Sequence, residues 1–143
     1  MRKDKPSRTA LKVALVVVTL GAKPGMDKIL PPGIVQATEE LLVASGAAGA
    51  TVVRLCRSRR MVSVYEAFDP MLPGQFEAFA HRKAFCERQV LDGIAGGATQ
   101  VLVLGAGYDT LTWRLAPEFP AVSFFELDHP ATARLKARGI EAM

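Results

Sequence analysis

The spacing of apolar positions changes twice along the chain, and each change marks a different kind of element. Leu11, Ala14, Leu15 and Val18 recur at helical spacing, so the first predicted element is a helix with one apolar stripe. Ser7 or Thr9 stands where its N-cap belongs. The same stretch has a basic start, an apolar run over residues 13–20 and a Leu20-Gly21-Ala22 end, which is the outline of a signal peptide. The run is too short to span a bilayer. We read it as the amphipathic helix of a cytoplasmic protein.

Residues 23–33 are rich in Pro and Gly and predict a loop. A helix over residues 34–44 should stop near Ser45-Gly46. Residues 51–55 (TVVRL) and 61–65 (MVSVY) are rich in valine and read as two short strands. Residues 69–75 predict another loop. A long helix follows over residues 75–94, with Phe76, Phe79, Cys86, Val90 and Ile94 on one face and Gly96-Gly97 as its stop.

Beyond residue 99 the pattern becomes strand, turn, helix, strand, turn, helix. Residues 100–104 (QVLVL) form a strand that is apolar on both faces, as in a central strand. Gly105 to Tyr108 make a turn. A short helix spans about 110–115, with Asp109 as its cap and Pro117 just past its end. The second strand covers 122–127. A last helix starts at Pro130, capped by Asp128 or His129, and ends at Gly139. The fold class is therefore α/β: the N-terminal part of a Rossmann-like, doubly wound sheet preceded by a mainly helical cap segment. Residues 1–73 form the cap segment and 74–143 the start of the α/β domain.

Composition adds limits. The 143 residues are 50% hydrophobic and 22% charged, enough for one small domain with a core. The net charge of +4 is spread along the chain, which does not suggest nucleic acid. The one basic group, Arg54, Arg57, Arg59 and Arg60, reads as a solvated turn. Cys56 and Cys86 have no CxxC spacing and no paired histidine, so no metal site is expected, and two reduced thiols are a simpler reading than a disulfide.

The chemistry concentrates after the first α/β strand. Gly105 and Gly107 lack a Cβ, so the backbone can pass close to a ligand. The second strand ends in Phe125-Glu126-Leu127-Asp128, and Asp128 lies where such folds set a carboxylate against ribose hydroxyls. Its alternative role is a cap for the next helix. Glu126 carries less weight. Two cofactors suit a glycine turn. A dinucleotide fingerprint places Gly or Ala where this chain has Thr110, and Asp109 adds a negative charge where a pyrophosphate would sit. S-adenosylmethionine carries no phosphate, and its carboxylate needs a separate cation. Arg82 and Lys83, on the preceding helix, are in place to supply one.

Residues 101–118 (VLVLGAGYDTLTWRLAPE), followed by FFELDHP over 124–130, resemble the leucine carboxyl methyltransferase family of class I S-adenosylmethionine-dependent methyltransferases. Residues 7–10 (SRTA) and 81–90 (HRKAFCERQV) are similar to that family's preceding segments. The resemblance is strongest from about residue 74 onward and poor over 23–73. It implies that Gly105, Ala106 and Gly107 line the methionine part of the cofactor and that Asp128 binds the ribose. It implies further that Arg82 pairs with the cofactor carboxylate, with Arg8 near a second basic position for the same group. No catalytic residue is implied, since methyl transfer to a carboxylate needs no general base. His81 and His129 are the available bases, and a cap or turn role suits His129 better.

The acceptor implied is a small-molecule or protein carboxylate or hydroxyl. The family's proteins are roughly twice as long, so an incomplete chain is expected, inactive by itself and prone to self-association through unpaired strand edges. The alternatives are a fragment of an NAD(P)-dependent oxidoreductase and a non-catalytic half-domain that works with a partner chain.

Overall fold

Ser7 opens the first helix. In the computed structural model, which describes residues 5–71 and 73–143, its backbone is extended and its hydroxyl accepts the Ala10 N–H. That bond satisfies one of the donors a helix start leaves free. Helix α1 then runs Arg8–Leu20. The basic start of the signal-like stretch, residues 1–4, and Leu72 of the second loop lie outside the described residues.

The expected single stripe fails in the second half of α1. Leu11 and Leu15 are half-buried, but every residue from Val16 to Leu20 is buried. The cause is position. α1 runs between two apolar clusters, one containing Val17, Leu20, Leu30, Ile34 and Phe76, the other Val18, Leu41, Leu42, Val53 and Tyr108. A helix with neighbours on all sides needs no polar face. Fully burying a side chain such as Leu20 contributes about 1.5–3 kcal/mol.

The loop after α1 contains one 3-10 turn, Met26–Lys28, and leads into α2, Ile34–Ala44, at the predicted bounds. The next two segments correct the sequence reading. Residues 51–55 and 61–65 are helical, within α3, Ala50–Cys56, and α4, Arg59–Ala67. Only Val53 and Cys56 of α3 are buried, three residues apart, and Val62 of α4 is buried while Tyr65 stacks on Phe76 with centroids 4.8 Å apart. That is helical spacing, and the packing it allows outweighs the weak strand preference of valine. Ser58 caps α4 by accepting the Met61 N–H at 3.3 Å. Arg54, Arg57, Arg59 and Arg60 are exposed around this junction, with Arg57 paired to Glu39 at 2.6 Å.

Helix α5, Gln75–Ala95, ends at Gly96 as expected, but Cys86 of its predicted apolar face is exposed, while Ala80 and Glu87 are buried. Strand β1, Gln100–Leu104, pairs in parallel with β2, Ser123–Leu127, with Leu104 opposite Leu127. The short helix α6 spans Leu111–Leu115 and the last helix, α7, spans Pro130–Glu141. Gly139 does not end α7, which continues for two residues. Its missing side chain serves packing instead: a Cβ there would lie 2.6 Å from Ser45 Cβ, so α7 can press against the end of α2. The observed architecture is thus mixed α/β, with a two-stranded parallel sheet among the described residues.

Two long-range links set the helical segment against the sheet. The Ser7 N–H donates to the Thr132 hydroxyl of α7 at 2.9 Å. Arg114 of α6 donates to the Pro32 carbonyl at 3.0 Å and pairs with the buried Glu87 of α5. Both Cys56, buried, and Cys86, exposed, are free thiols. Among the described residues no helix is long and apolar enough to cross a membrane, and no cluster of three or more potential ligands is placed to hold a metal ion.

Candidate functional site

The strand β1 delivers the chain into a turn that only glycine adopts easily. Gly105 has φ +65° and Gly107 φ +56°, both left-handed. Their surroundings differ. A Cβ on Gly105 would meet nothing within 4 Å, so this glycine faces open space, whereas a Cβ on Gly107 would come within 3.0 Å of Ala10 Cβ. The first glycine keeps a surface clear, and the second lets the start of α1 approach the turn.

The turn is bonded to the end of β2. The Gly105 N–H donates to the Leu127 carbonyl at 2.7 Å, and the Ala106 N–H reaches the same oxygen at 3.3 Å. The Gly107 N–H donates to Asp128 Oδ2 at 2.7 Å, and the His129 N–H to Asp128 Oδ1 at 2.6 Å. His129 caps α7, its Nδ1 accepting the Ala131 N–H at 3.3 Å.

An open cleft of about 640 Å³ lies over this turn. Its walls are Ser7, Thr9 and Ala10 of α1, Arg82, Lys83 and Cys86 of α5, and the segment from Leu102 to Leu111 with Asp128. The structure therefore brings Arg82, Gly105, Ala106, Gly107 and Asp128 together around one space. Arg8 sits at the first position of α1, exposed, and the cleft wall passes through its neighbours Ser7 and Thr9 rather than through it.

Adjacent Arg82 and Lys83 of α5 part company here. Lys83 pairs with Asp109, whose other oxygen accepts the Leu111 N–H at 2.9 Å and so holds the start of α6. Arg82 is exposed, and its guanidinium lies 5.1 Å over the Phe79 ring. Among the described residues it joins no ion pair. Burial pushes the Asp109 carboxyl up, but Lys83, the Leu111 N–H and Lys136 together outweigh it and hold the carboxyl below the usual aspartate range. Tyr108, 3% exposed beside the turn, has its hydroxyl pushed up, chiefly by burial and then by the Asp128 charge.

Sequence reasoning missed a second polar group beneath the cleft. Lys136 of α7 is 3% exposed, and its ammonium donates to both oxygens of Glu126 at 2.6 Å and to the Asp109 carbonyl. The Thr112 hydroxyl donates to the same glutamate. Ala131, Thr132, Lys136 and Gly139 form the buried side of α7, and a lysine on a buried side needs an acid.

Comparison with known proteins gives the family. Residues 38–143 match the family model described as leucine carboxyl methyltransferase. Three similar curated proteins, from Bacillus subtilis, Mycobacterium ulcerans and Mycolicibacterium paratuberculosis, each bear the name "Putative S-adenosyl-L-methionine-dependent methyltransferase", the first with the suffix YktD. The B. subtilis protein is 40% identical over 55 residues, which is 38% of this chain and 18% of that protein. The M. ulcerans protein is 40% identical over 73 residues, 48% of this chain and 23% of that protein. The M. paratuberculosis protein is 35% identical over 68 residues, 48% of this chain and 21% of that protein. The matched segments thus span about a fifth of those relatives' own length. No solved structure matches the chain. With the family model matching across most of its length, this chain belongs to the leucine carboxyl methyltransferase family.

Proposed function

We propose that the cleft over Gly105–Gly107 binds S-adenosylmethionine and that the chain is the cofactor-binding part of an O-methyltransferase, built on the opening strands of a doubly wound sheet. The observation that carries this reading is the convergence of the glycine turn, Asp128 and Arg82 on one space.

The residues fit the cofactor group by group. Gly105 leaves open the surface that a side chain would fill. Asp128 accepts one backbone N–H on each oxygen. An ionised carboxylate has about four lone-pair positions, so two remain for the vicinal hydroxyls of a ribose. Arg82 supplies a cation for a carboxylate, as its resemblance to the family's arginine implies, and Arg8 stands near enough in sequence to Ser7 and Thr9 to assist. Ala106 continues the surface between the glycines.

Bound S-adenosylmethionine would supply an electrophilic methyl group. The chain's own task is then to hold and align. A carboxylate acceptor is already ionised at neutral pH, so the site needs alignment and exclusion of water rather than a base. The acceptor we propose is a small-molecule or protein carboxylate, with a hydroxyl as the wider class. Calorimetric titration with S-adenosylmethionine, its demethylated product and NAD tests the reading. Tighter binding of NAD than of either sulfur ligand would overturn it and restore the dinucleotide alternative.

A further inference from the structure

We infer that Lys136 is the positioning residue of this site, a role that rests on the cofactor reading only for the ligand and not for the geometry. The two halves of the binding platform come from segments far apart in the chain. One is the glycine turn with its exit at Asp109. The other is the end of β2, from Glu126 to Asp128. Lys136 is bonded to both at once, since its ammonium donates to the Asp109 carbonyl and to both Glu126 oxygens.

An ammonium has three N–H groups, and here three acceptors take them. Nothing is left over for a ligand or for water, and at 3% exposure water has little access. The lysine therefore acts on the site through what it holds. On one side it fixes the peptide that follows Asp109. The Asp109 side chain is in turn fixed by Lys83 and the Leu111 N–H, so both ends of the turn's exit are tied. On the other side it fixes a carboxylate two residues before Asp128, which Thr112 also grips. The Gly107 N–H to Asp128 bond then closes the ring at 2.7 Å.

Charge explains why a lysine stands here. Asp109 and Glu126 bring two negative charges under the turn, and Lys83 and Lys136 bring two positive ones. Remove Lys136 and the Glu126 carboxylate loses its ion-pair partner, while the Asp109 carbonyl loses its donor. The one group bonded to both segments is then gone, and a partly buried carboxylate and a carbonyl are left unsatisfied, so the turn and the strand end should separate. The surface presented by Gly105–Gly107 and by Asp128 would then lose its fixed spacing.

The turn amides of Gly105, Ala106, Gly107, Asp109 and Leu111 are all hydrogen-bonded to β2's end or within the turn. Their exchange with solvent deuterium reports the spacing without any ligand. We compare the full chain with Lys136→Met and with Lys136→Met/Glu126→Leu, which removes both charges and keeps apolar volume. In Lys136→Met, exchange of these amides should rise about tenfold or more while the amides of Val17 and Val18 in α1 stay as in the wild type. In the double variant, global stability should return and the turn's protection should not, because the Asp109 carbonyl still lacks its donor. Affinity for S-adenosylmethionine should fall about tenfold in both variants.

Wild-type protection of the turn in either folded variant would overturn the inference. So would recovery of turn protection in step with global stability in the double variant, which is what a merely structural lysine gives. Should Lys136→Met fail to fold, the double variant alone decides. If the wild-type chain binds no S-adenosylmethionine, the cofactor reading fails, and the exchange measurements still decide the role of Lys136.

Discussion

Gly139→Ala tests how tightly the helical segment is pressed against the α/β part. The added Cβ would lie 2.6 Å from Ser45 Cβ and 3.0 Å from both Ser45 Cα and Leu41 Cδ1. Carbon atoms rest about 3.5–4.0 Å apart, so the contact is too short by about 1 Å. Leu41 cannot yield easily, being 1% exposed. Ser45 cannot rotate out of the way, because its Cα and Cβ are fixed to the backbone of α2's C-terminus. Relief requires α2 and α7 to separate.

Overpacking of this kind costs about 1–3 kcal/mol. Alanine regains about 0.8–1.0 kcal/mol over glycine within a helix. Since the neighbour is backbone-bound, the upper part of the cost applies, and the net expectation is a loss of about 1–2 kcal/mol. Gly93→Ala is the control. Gly93 lies inside α5, is exposed, and a Cβ there would meet nothing within 4 Å. That variant should gain about 0.8–1.0 kcal/mol from helix preference alone. Urea unfolding, with slopes of about 1–3 kcal/mol per molar, should therefore place the two midpoints on opposite sides of the wild type. Gly139→Ala as stable as the wild type would refute the close approach of α2 and α7.

Three further outcomes follow from the site. Arg82→Ala should weaken S-adenosylmethionine binding by about 1.5–3 kcal/mol, the range for hydrogen bonds to charged groups, with the circular dichroism spectrum unchanged; unaltered affinity would return Arg82 to a plain surface charge. Asp109 titrates lower in the folded chain than in the unfolded one, so its contribution is fully present above the ordinary aspartate value of about 3.9 and lost as the pH falls through its lower folded value. Acid unfolding of Asp109→Asn should accordingly show a shallower loss of stability below that value than the wild type, and identical acid limbs would count against the Lys83–Asp109 pairing. Leu102, Leu104, Phe125 and Leu127 line one face of the sheet at 61%, 69%, 51% and 62% exposure. The chain should therefore self-associate, sedimentation should show mass rising with concentration, and Phe125→Lys should lower it; a mass that stays monomeric at all concentrations would sink this expectation.

Some of this was legible in the sequence and some was not, for reasons that differ by residue. β1 and its turn could be read because an apolar run stopped by glycines is a local signal, and φ at Gly105 and Gly107 is a local demand. The Ser7 cap was legible for the same reason. α3 and α4 were misread because valine's preference is weak, and what decides it, the clusters around Val53 and Val62, comes from elsewhere in the chain. Charge and spacing alone did not separate neighbouring Arg82 and Lys83, and only the family resemblance favoured Arg82. Asp109, twenty-six positions on, separates them by pairing with one. Lys136 was overlooked because its partners Glu126 and Asp109 stand 10 and 27 positions away.

That sorting of charges bears on the ligand itself. Around the cleft, Asp109 is matched by Lys83 and Glu126 by Lys136. Among the described residues of the wall, Arg82 and Asp128 remain without a partner of opposite charge, one cationic and one anionic. A dinucleotide brings two negative phosphates and would ask for more positive charge than one exposed arginine provides. It would also bring them beside Asp128. A ligand with one carboxylate, one diol and positive charge between them can set its carboxylate against Arg82 and its diol against Asp128. S-adenosylmethionine has those groups, and Asp109 and Glu126 are already matched by the two lysines. The buried pairs therefore do more than hold the fold: by cancelling Asp109 and Glu126, they leave the cleft with the one cation and one anion that the proposed ligand can use.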